Sequence, residues 1–145
     1  MHFTHDPDQT IGVRLFTLLS DVEPRGGATL VVTGSHRLVE RFVRGLSPTE
    51  KEEKFARLVD RFMRTDPWLE ELAHGAVDAP ERERRFLEDG ACIDGFDVRV
   101  ETISGKAGDG VLMHPWTLHA RSPHAGDGPR FILAKDIYRV PALAS

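Results

Sequence analysis

Alternation of apolar and polar positions dominates the first stretch of the chain. Residues 11–20, IGVRLFTLLS, place Ile11, Val13, Leu15, Thr17 and Leu19 on one face of a strand and Arg14, Phe16 and Leu18 on the other. Both faces are largely apolar, which predicts a strand held inside a β-sandwich. The following DVEPRGG carries Pro24 and the pair Gly26-Gly27, a turn signal, and residues 28–33 (ATLVVT) read as a returning strand, so the two are expected to form a hairpin.

The period then changes. Ser47 stands as an N-cap, Pro48 as the first helical residue and Glu50 in capping-box position. Phe55, Leu58, Val59, Phe62 and Met63 follow at the spacing of one helical stripe. Asp66-Pro67 restarts a short helix through Trp68, Leu69 and Leu72, and Ala79-Pro80 opens a third through Phe86 and Leu87. About residues 38–90 therefore read as a helical insertion between strands, too small and too amphipathic to stand alone. After Gly95 the β signals return. Phe96, Val98 and Val100 alternate with Asp97, Arg99 and Glu101, the glycines at 105, 108 and 110 mark a turn around Asp109, and residues 111–119 and 130–140 read as further strands. Strands at both ends with helices between them predict one domain over residues 1–145, mainly β, an antiparallel sandwich or jelly roll decorated by helices.

Composition narrows the partners. The chain has 145 residues, 40% of them hydrophobic, enough for one core. Its 19 basic and 23 acidic residues give a net charge of −4 with no basic stripe, which argues against nucleic acid or an anionic membrane and for a small-molecule substrate. Cys92 is the single cysteine, so no intrachain disulfide can form, as befits a reducing cytoplasm. The N-terminal MHFTHDPDQT lacks the basic and apolar regions of a signal peptide, and no apolar run reaches bilayer length, so a soluble, cytoplasmic protein is expected.

The chemistry-bearing residues concentrate in HPWTLHARSPHAGDGPR, residues 114–130. In a continuous strand over 111–119, Val111, Met113, Thr117 and His119 share one face while Leu112, His114, Trp116 and Leu118 share the other. His114 and His119 then cannot serve one metal ion unless Pro115 introduces a bulge that resets the phase. A histidine in an apolar strand is ordinarily a hydrogen-bonded core residue, and a lone arginine such as Arg130 ordinarily pairs with a surface carboxylate.

Taken together, these residues carry a resemblance. HPWTLH, the loop SPHAGDGP and Arg130 resemble the C-terminal half of the phytanoyl-CoA dioxygenase family of iron(II)- and 2-oxoglutarate-dependent oxygenases. SDVEPRGGATLVVTGSH, residues 20–36, is similar to that family's strand, glycine-rich turn, strand and Gly-Ser/Thr-His signature. The resemblance implies a double-stranded β-helix (a jelly roll, cupin-like) that binds Fe(II), 2-oxoglutarate and O₂ and hydroxylates a small organic substrate. Residue by residue, it implies that His119 is an iron ligand and that Arg130 binds the distal carboxylate of 2-oxoglutarate. His114 corresponds to a motif position that is structural or supports the metal site from behind, His36 to local structure at the end of the second strand, and His124 to an exposed loop residue. A guanidinium suits the role given to Arg130 because its fork meets a carboxylate with two charge-assisted hydrogen bonds.

The family also supplies a first histidine and a carboxylate from a His-x-Asp motif ahead of the first strand, and no such motif stands in this sequence. Three expectations follow: a start that lies upstream, replacement ligands drawn from His5, Asp6 or Asp8, or a non-catalytic jelly-roll module that binds a ligand or partner. THDPD otherwise reads as a solvated turn. A chain without its first strands would leave sheet edges through which two copies could pair as a homodimer. Arg121 departs from the family, whose members often carry a small hydroxyl residue at that position, though Ser122 is adjacent. The helical insertion is expected to cover the mouth of the barrel and set specificity, while Phe16, Leu18 and Trp116 are core residues or liners of the pocket.

Overall fold

The computed structural model describes residues 12–75, 79–124 and 128–138. Eight strands and five α-helices follow one another as β1 (Gly12–Leu18), β2 (Thr29–Val32), α1 (Ser35–Gly45), α2 (Pro48–Lys51), α3 (Phe55–Met63), α4 (Pro67–His74), α5 (Ala79–Glu83), β3 (Ala91–Ile93), β4 (Phe96–Val98), β5 (Val100–Ile103), β6 (Gly110–Met113), β7 (His119–Arg121) and β8 (Ile132–Tyr138), with a π-helical segment, Arg84–Asp89, after α5. The strands build two three-stranded antiparallel sheets, β6-β1-β8 and β5-β2-β7, and a small β3-β4 hairpin.

β1 and β2 do not pair with each other. β1 lies between β6 and β8 while β2 lies between β5 and β7, so the expected hairpin is instead a crossing from one sheet to the other. The reason lies in the connection: Val22 bridges to Gly105 and Gly26 to His124, so each half of DVEPRGG is held by a different distant segment. The chain changes sheets again between β6 and β7. There Thr117 donates its N–H to the His114 carbonyl at 2.9 Å, closing a turn through Pro115, so the expected single strand over 111–119 is two strands in two sheets.

β1 keeps its expected alternation but buries one face only. Phe16 and Leu18 are buried, whereas Val13 on the opposite face is 37% exposed, as are its outer-face neighbours Leu112 at 64% and Leu133 at 52%. The β6-β1-β8 sheet is thus covered on one side among the described residues, contrary to a strand enclosed on both.

The helices begin at Ser35, earlier than the hydrophobic period alone predicts. Gly34, at φ 73°, turns the chain into α1 in the left-handed region, where a side chain is strained. An added Cβ there would lie 2.4 Å from the Asp97 carbonyl oxygen, so the glycine also permits a close backbone approach. Ser35 is fully buried. Its hydroxyl donates to the Val32 carbonyl at 2.6 Å and accepts the Leu118 N–H at 3.0 Å, tying the helix start to β2 and to the entrance of β7. The expected helix from Ser47 divides after one turn: the Ser47–Glu50 capping box is formed, but α2 ends at Lys51 and α3 starts at Phe55.

The helical stripes then pack together. Leu38, Val39 and Val43 of α1, Leu58, Phe62 and Met63 of α3, Trp68 and Leu69 of α4, and Phe86 join Val32, Val98, Val100 and Trp116 in one core. Each fully buried Leu or Phe contributes roughly 1.5–3 kcal/mol through burial. Leu30 and Val32 of β2 face this core, which leaves Thr29 and Val31 on the other side of the sheet. The insertion is therefore a layer on the back of β5-β2-β7. Leu18, Val22 and Ala28, with Ile132 against them, form a second small cluster between the sheets.

Candidate functional site

A cavity of about 750 Å³ opens between the two sheets. Arg14 and Phe16 of β1, Thr29 of β2, His119 and Arg121 of β7, Ile132, Ala134 and Asp136 of β8, and Arg130 just ahead of β8 line it. None of these residues belongs to a helix. Among the described residues the cavity is thus walled by strands rather than covered by the helical layer as expected, since the amphipathic helices bury their apolar stripes on the far side of β5-β2-β7.

The register explains which side chains meet. β7 pairs antiparallel with β2, His119 opposite Val31 and Arg121 opposite Thr29, so His119 and Arg121 point away from the helical core and into the space between sheets. β8 pairs with β1, placing Asp136 directly opposite Arg14. Arg130 enters from the loop before β8 and crosses the Gly26-Gly27 turn. Gly27 sits at φ 72°, and a Cβ on it would lie 3.2 Å from Arg130 Nε and 3.0 Å from the His124 ring. The second glycine of the turn therefore makes the bed on which Arg130 lies.

His119 is held in one orientation. Its Nδ1 lies 2.9 Å from the Thr117 carbonyl oxygen, which can only accept, so Nδ1 carries the proton and Nε2 presents its lone pair to the cavity. The edge of the Phe16 ring packs against the imidazole, centroids 6.0 Å apart. Arg14 supplies the partner for the lone pair: Nη1–H donates to His119 Nε2 at 2.9 Å, while Nε and Nη2 donate to the two Asp136 carboxylate oxygens at 2.6 and 2.8 Å. This fork holds the Asp136 carboxyl below the usual carboxylate range and the Arg14 guanidinium above its own. Arg121 and Arg130 have no hydrogen bond or ion pair with another described residue. With three guanidiniums facing one carboxylate, the cavity favours an anionic ligand.

The other residues singled out from sequence lie elsewhere. His114 is outside the cavity, its ring 5.3 Å from that of His36 and 5.5 Å from that of Trp116, and its Nδ1 accepts the Trp116 N–H at 3.1 Å. Partial burial lowers the pKa of both His36 and His114, so each is kept toward its neutral form. His124 is exposed in the loop, with Nε2 2.9 Å from the Gly128 carbonyl oxygen. Ser122 turns its hydroxyl to the Pro123 carbonyl and is not part of the cavity wall. Asp109 accepts the Lys106 N–H at 2.8 Å, the turn role its sequence context suggests. Phe16 lines the cavity, while Leu18 and Trp116 belong to the two cores. His2, His5, Asp6 and Asp8 lie outside the described residues.

Two residues of the site have no counterpart in the motif reading. Arg14 was visible as an arginine on the Phe16-Leu18 face of an apolar strand, an uncommon place for an unpaired charge. Asp136 carried no such signal, because its role depends on pairing across 122 positions of sequence.

An iron(II) ion would find one well-oriented donor here. Fixing the second ring nitrogen on a carbonyl is how ligating histidines are commonly held. Yet the His119 lone pair and both Asp136 oxygens are engaged by Arg14, and among the described residues no group of three or more His, Cys, Asp or Glu gathers to hold a metal ion. The described residues do not by themselves form a metal centre.

No curated protein and no solved structure is similar enough to match the chain. The family model for phytanoyl-CoA dioxygenase (PhyH) matches residues 1–132, which takes in β1 through to the first residue of β8 and with them His119 and Arg130. The chain belongs to the phytanoyl-CoA dioxygenase family.

Proposed function

We propose that the chain is an Fe(II)- and 2-oxoglutarate-dependent oxygenase domain that hydroxylates a small organic substrate in the cavity between its sheets. In this reading the two antiparallel sheets are the halves of a double-stranded β-helix, which is why the chain crosses from one to the other between β1 and β2 and at each step from β5 through β6 and β7 to β8. The observation that carries the proposal is the meeting of His119 and Arg130 in one cavity, the first with its Nε2 turned inward and the second without a carboxylate partner among the described residues. Arg130 anchors the distal carboxylate of 2-oxoglutarate through its fork, with Gly27 beneath it fixing the direction of the arm. Thr117 holds the His119 tautomer, and Phe16, Ile132 and Ala134 supply the apolar wall that keeps water from the reacting end. Iron(II), 2-oxoglutarate as co-substrate and O₂ as the oxidant would together supply the oxidising chemistry, and the protein's share is to position and to exclude.

A non-catalytic reading of the same cavity, as a binding module for a small anion, draws on Arg14 at the His119 lone pair. Incubating the chain aerobically with Fe(II) and 2-oxoglutarate and measuring succinate separates the two. The oxygenase reading predicts iron-dependent succinate release that disappears in His119→Ala. Absence of succinate from the folded wild-type chain, or release that persists in His119→Ala, favours the binding module.

A further inference from the structure

The end of the cavity nearest the Gly26-Gly27 turn gathers two guanidiniums and a hydroxyl without partners among the described residues. Arg121 stands opposite Thr29 across β7-β2, and the same register continues past the strands, where Gly26 bridges to His124 and Ser122 donates its N–H to the Ala28 carbonyl at 2.9 Å. Arg130 lies over Gly27, two residues before Thr29, with its Nε 3.2 Å from where a Cβ would stand. Arg121 springs from the diagonal neighbour of that glycine, about 7–8 Å away, so both arginine side chains reach the space beside Thr29.

Thr29 is the third member. It is 6% exposed and lines the cavity, yet its hydroxyl makes no hydrogen bond with another described residue. The Trp68 indole N–H is the one side-chain polar atom among the described residues that is sealed off without a partner, so the Thr29 hydroxyl opens onto the cavity. Arg121 and Arg130 likewise have no hydrogen bond or ion pair with another described residue. The carboxylate of the cavity wall, Asp136, is already held by the Arg14 fork and leaves their charge uncompensated.

The number and arrangement of these donors select the ligand. A carboxylate carries one charge and two coplanar oxygens, which a single guanidinium fork satisfies. A phosphoryl group carries close to two charges at neutral pH and three peripheral oxygens that do not lie in one plane with the phosphorus. Two guanidiniums and a hydroxyl, arriving from three positions in the chain, match the second and exceed the needs of the first.

We propose that Thr29, Arg121 and Arg130 form a metal-independent binding site for a phosphoryl group, carried by a small phosphate monoester or by inorganic phosphate. The cavity, at about 750 Å³, continues to Phe16, Ile132 and Ala134, which leaves space for the organic part of an ester. Arg130 is common to this site and to the 2-oxoglutarate reading, so the two ligands exclude one another. Phosphoryl binding needs neither iron nor turnover and does not rest on that reading.

Isothermal titration of the intact chain in EDTA tests the site with two matched pairs of ligands, phosphate against acetate and phenyl phosphate against benzoate. The phosphoryl member of a pair is expected to bind saturably and about tenfold or more tightly than its carboxylate counterpart, the worth of one further charge-assisted hydrogen bond. Phenyl phosphate ahead of phosphate identifies an ester as the occupant, and phosphate equal or ahead identifies the free anion. Arg121→Met, at an exposed position, should weaken phosphoryl binding about tenfold or more. Thr29→Val keeps the shape without the hydroxyl and should weaken it about three- to tenfold, with Thr29→Ser restoring it. Circular dichroism identifies variants that have kept the fold. Carboxylates that bind as tightly as their phosphoryl counterparts, or phosphoryl affinity unmoved in folded Arg121→Met and Thr29→Val, overturn the site. Saturable 2-oxoglutarate binding without any phosphoryl binding also overturns it, and leaves Arg130 as a carboxylate anchor.

Discussion

Replacing Arg130 with methionine is expected to weaken 2-oxoglutarate binding by roughly a hundredfold. Removing one partner of a desolvated, hydrogen-bonded charge pair costs about 2–5 kcal/mol, and each 1.4 kcal/mol is a factor of ten in affinity. The expectation applies to Arg130 because no other described residue satisfies its guanidinium. Arg130→Lys keeps the charge and loses the fork, and should recover part of the loss. Arg121→Met should cost less, since Arg121 is exposed. Isothermal titration with 2-oxoglutarate reads all three. A Kd for Arg130→Met within about threefold of wild type, less than 1 kcal/mol, would remove Arg130 from the site.

The second large effect is on folding. Gly34→Ala places a Cβ 2.4 Å from the Asp97 carbonyl oxygen at a residue whose φ is 73°. A left-handed conformation costs an L-residue about 1–2 kcal/mol, and relieving a backbone overlap adds to it, so a loss of roughly 3 kcal/mol is expected. The neighbouring Ser35 hydroxyl bridges Val32 and Leu118, which directly precedes His119, so the disturbance also reaches the site. Gly45 at the end of the same helix has nothing within 4 Å of an added Cβ. Gly45→Ala should therefore leave stability unchanged or slightly raised. Urea midpoints with unchanged slopes measure both. Equal midpoints for Gly34→Ala and wild type would show that the α1 entrance does not depend on this glycine.

What could be read without the structure follows from which interactions are local. The capping box at Ser47 and Glu50 and the buried stripe of Leu58, Phe62 and Met63 are local, and both are present. The Asp94-Gly95 pair, both residues at positive φ, is an equally local hairpin signal for β3-β4, masked by the longer helical period around it. Pairing between strands is not local. The Gly26-Gly27 turn announces a reversal of the chain but not whether the returning strand joins the same sheet, and here it joins the other one. Likewise the alternation in 111–119 does not reveal a change of sheet between His114 and His119, although Pro115 marks where it happens. Motif spacing pointed to His119 and Arg130 because those residues sit in one short segment. Arg14 and Asp136 come from opposite ends of the chain and became visible only when β1 and β8 were paired. The consequence is physical: the motif picks out residues of one short segment, while the groups that meet them are set by tertiary register.

In the proposed function, 2-oxoglutarate lies in the cavity between the sheets with its distal carboxylate on Arg130. The most direct test is a titration of the ¹⁵N-labelled chain with 2-oxoglutarate, in the presence of zinc(II) as a redox-inert substitute for iron, observing the arginine Nε–H and histidine ring resonances. Saturable shifts of the Arg130 Nε–H and of the His119 ring are expected, with no change at Arg99, which is paired with Glu101 away from this cavity. Shifts confined to Arg99 and its surroundings, or an unmoved Arg130 at saturating 2-oxoglutarate, would contradict it.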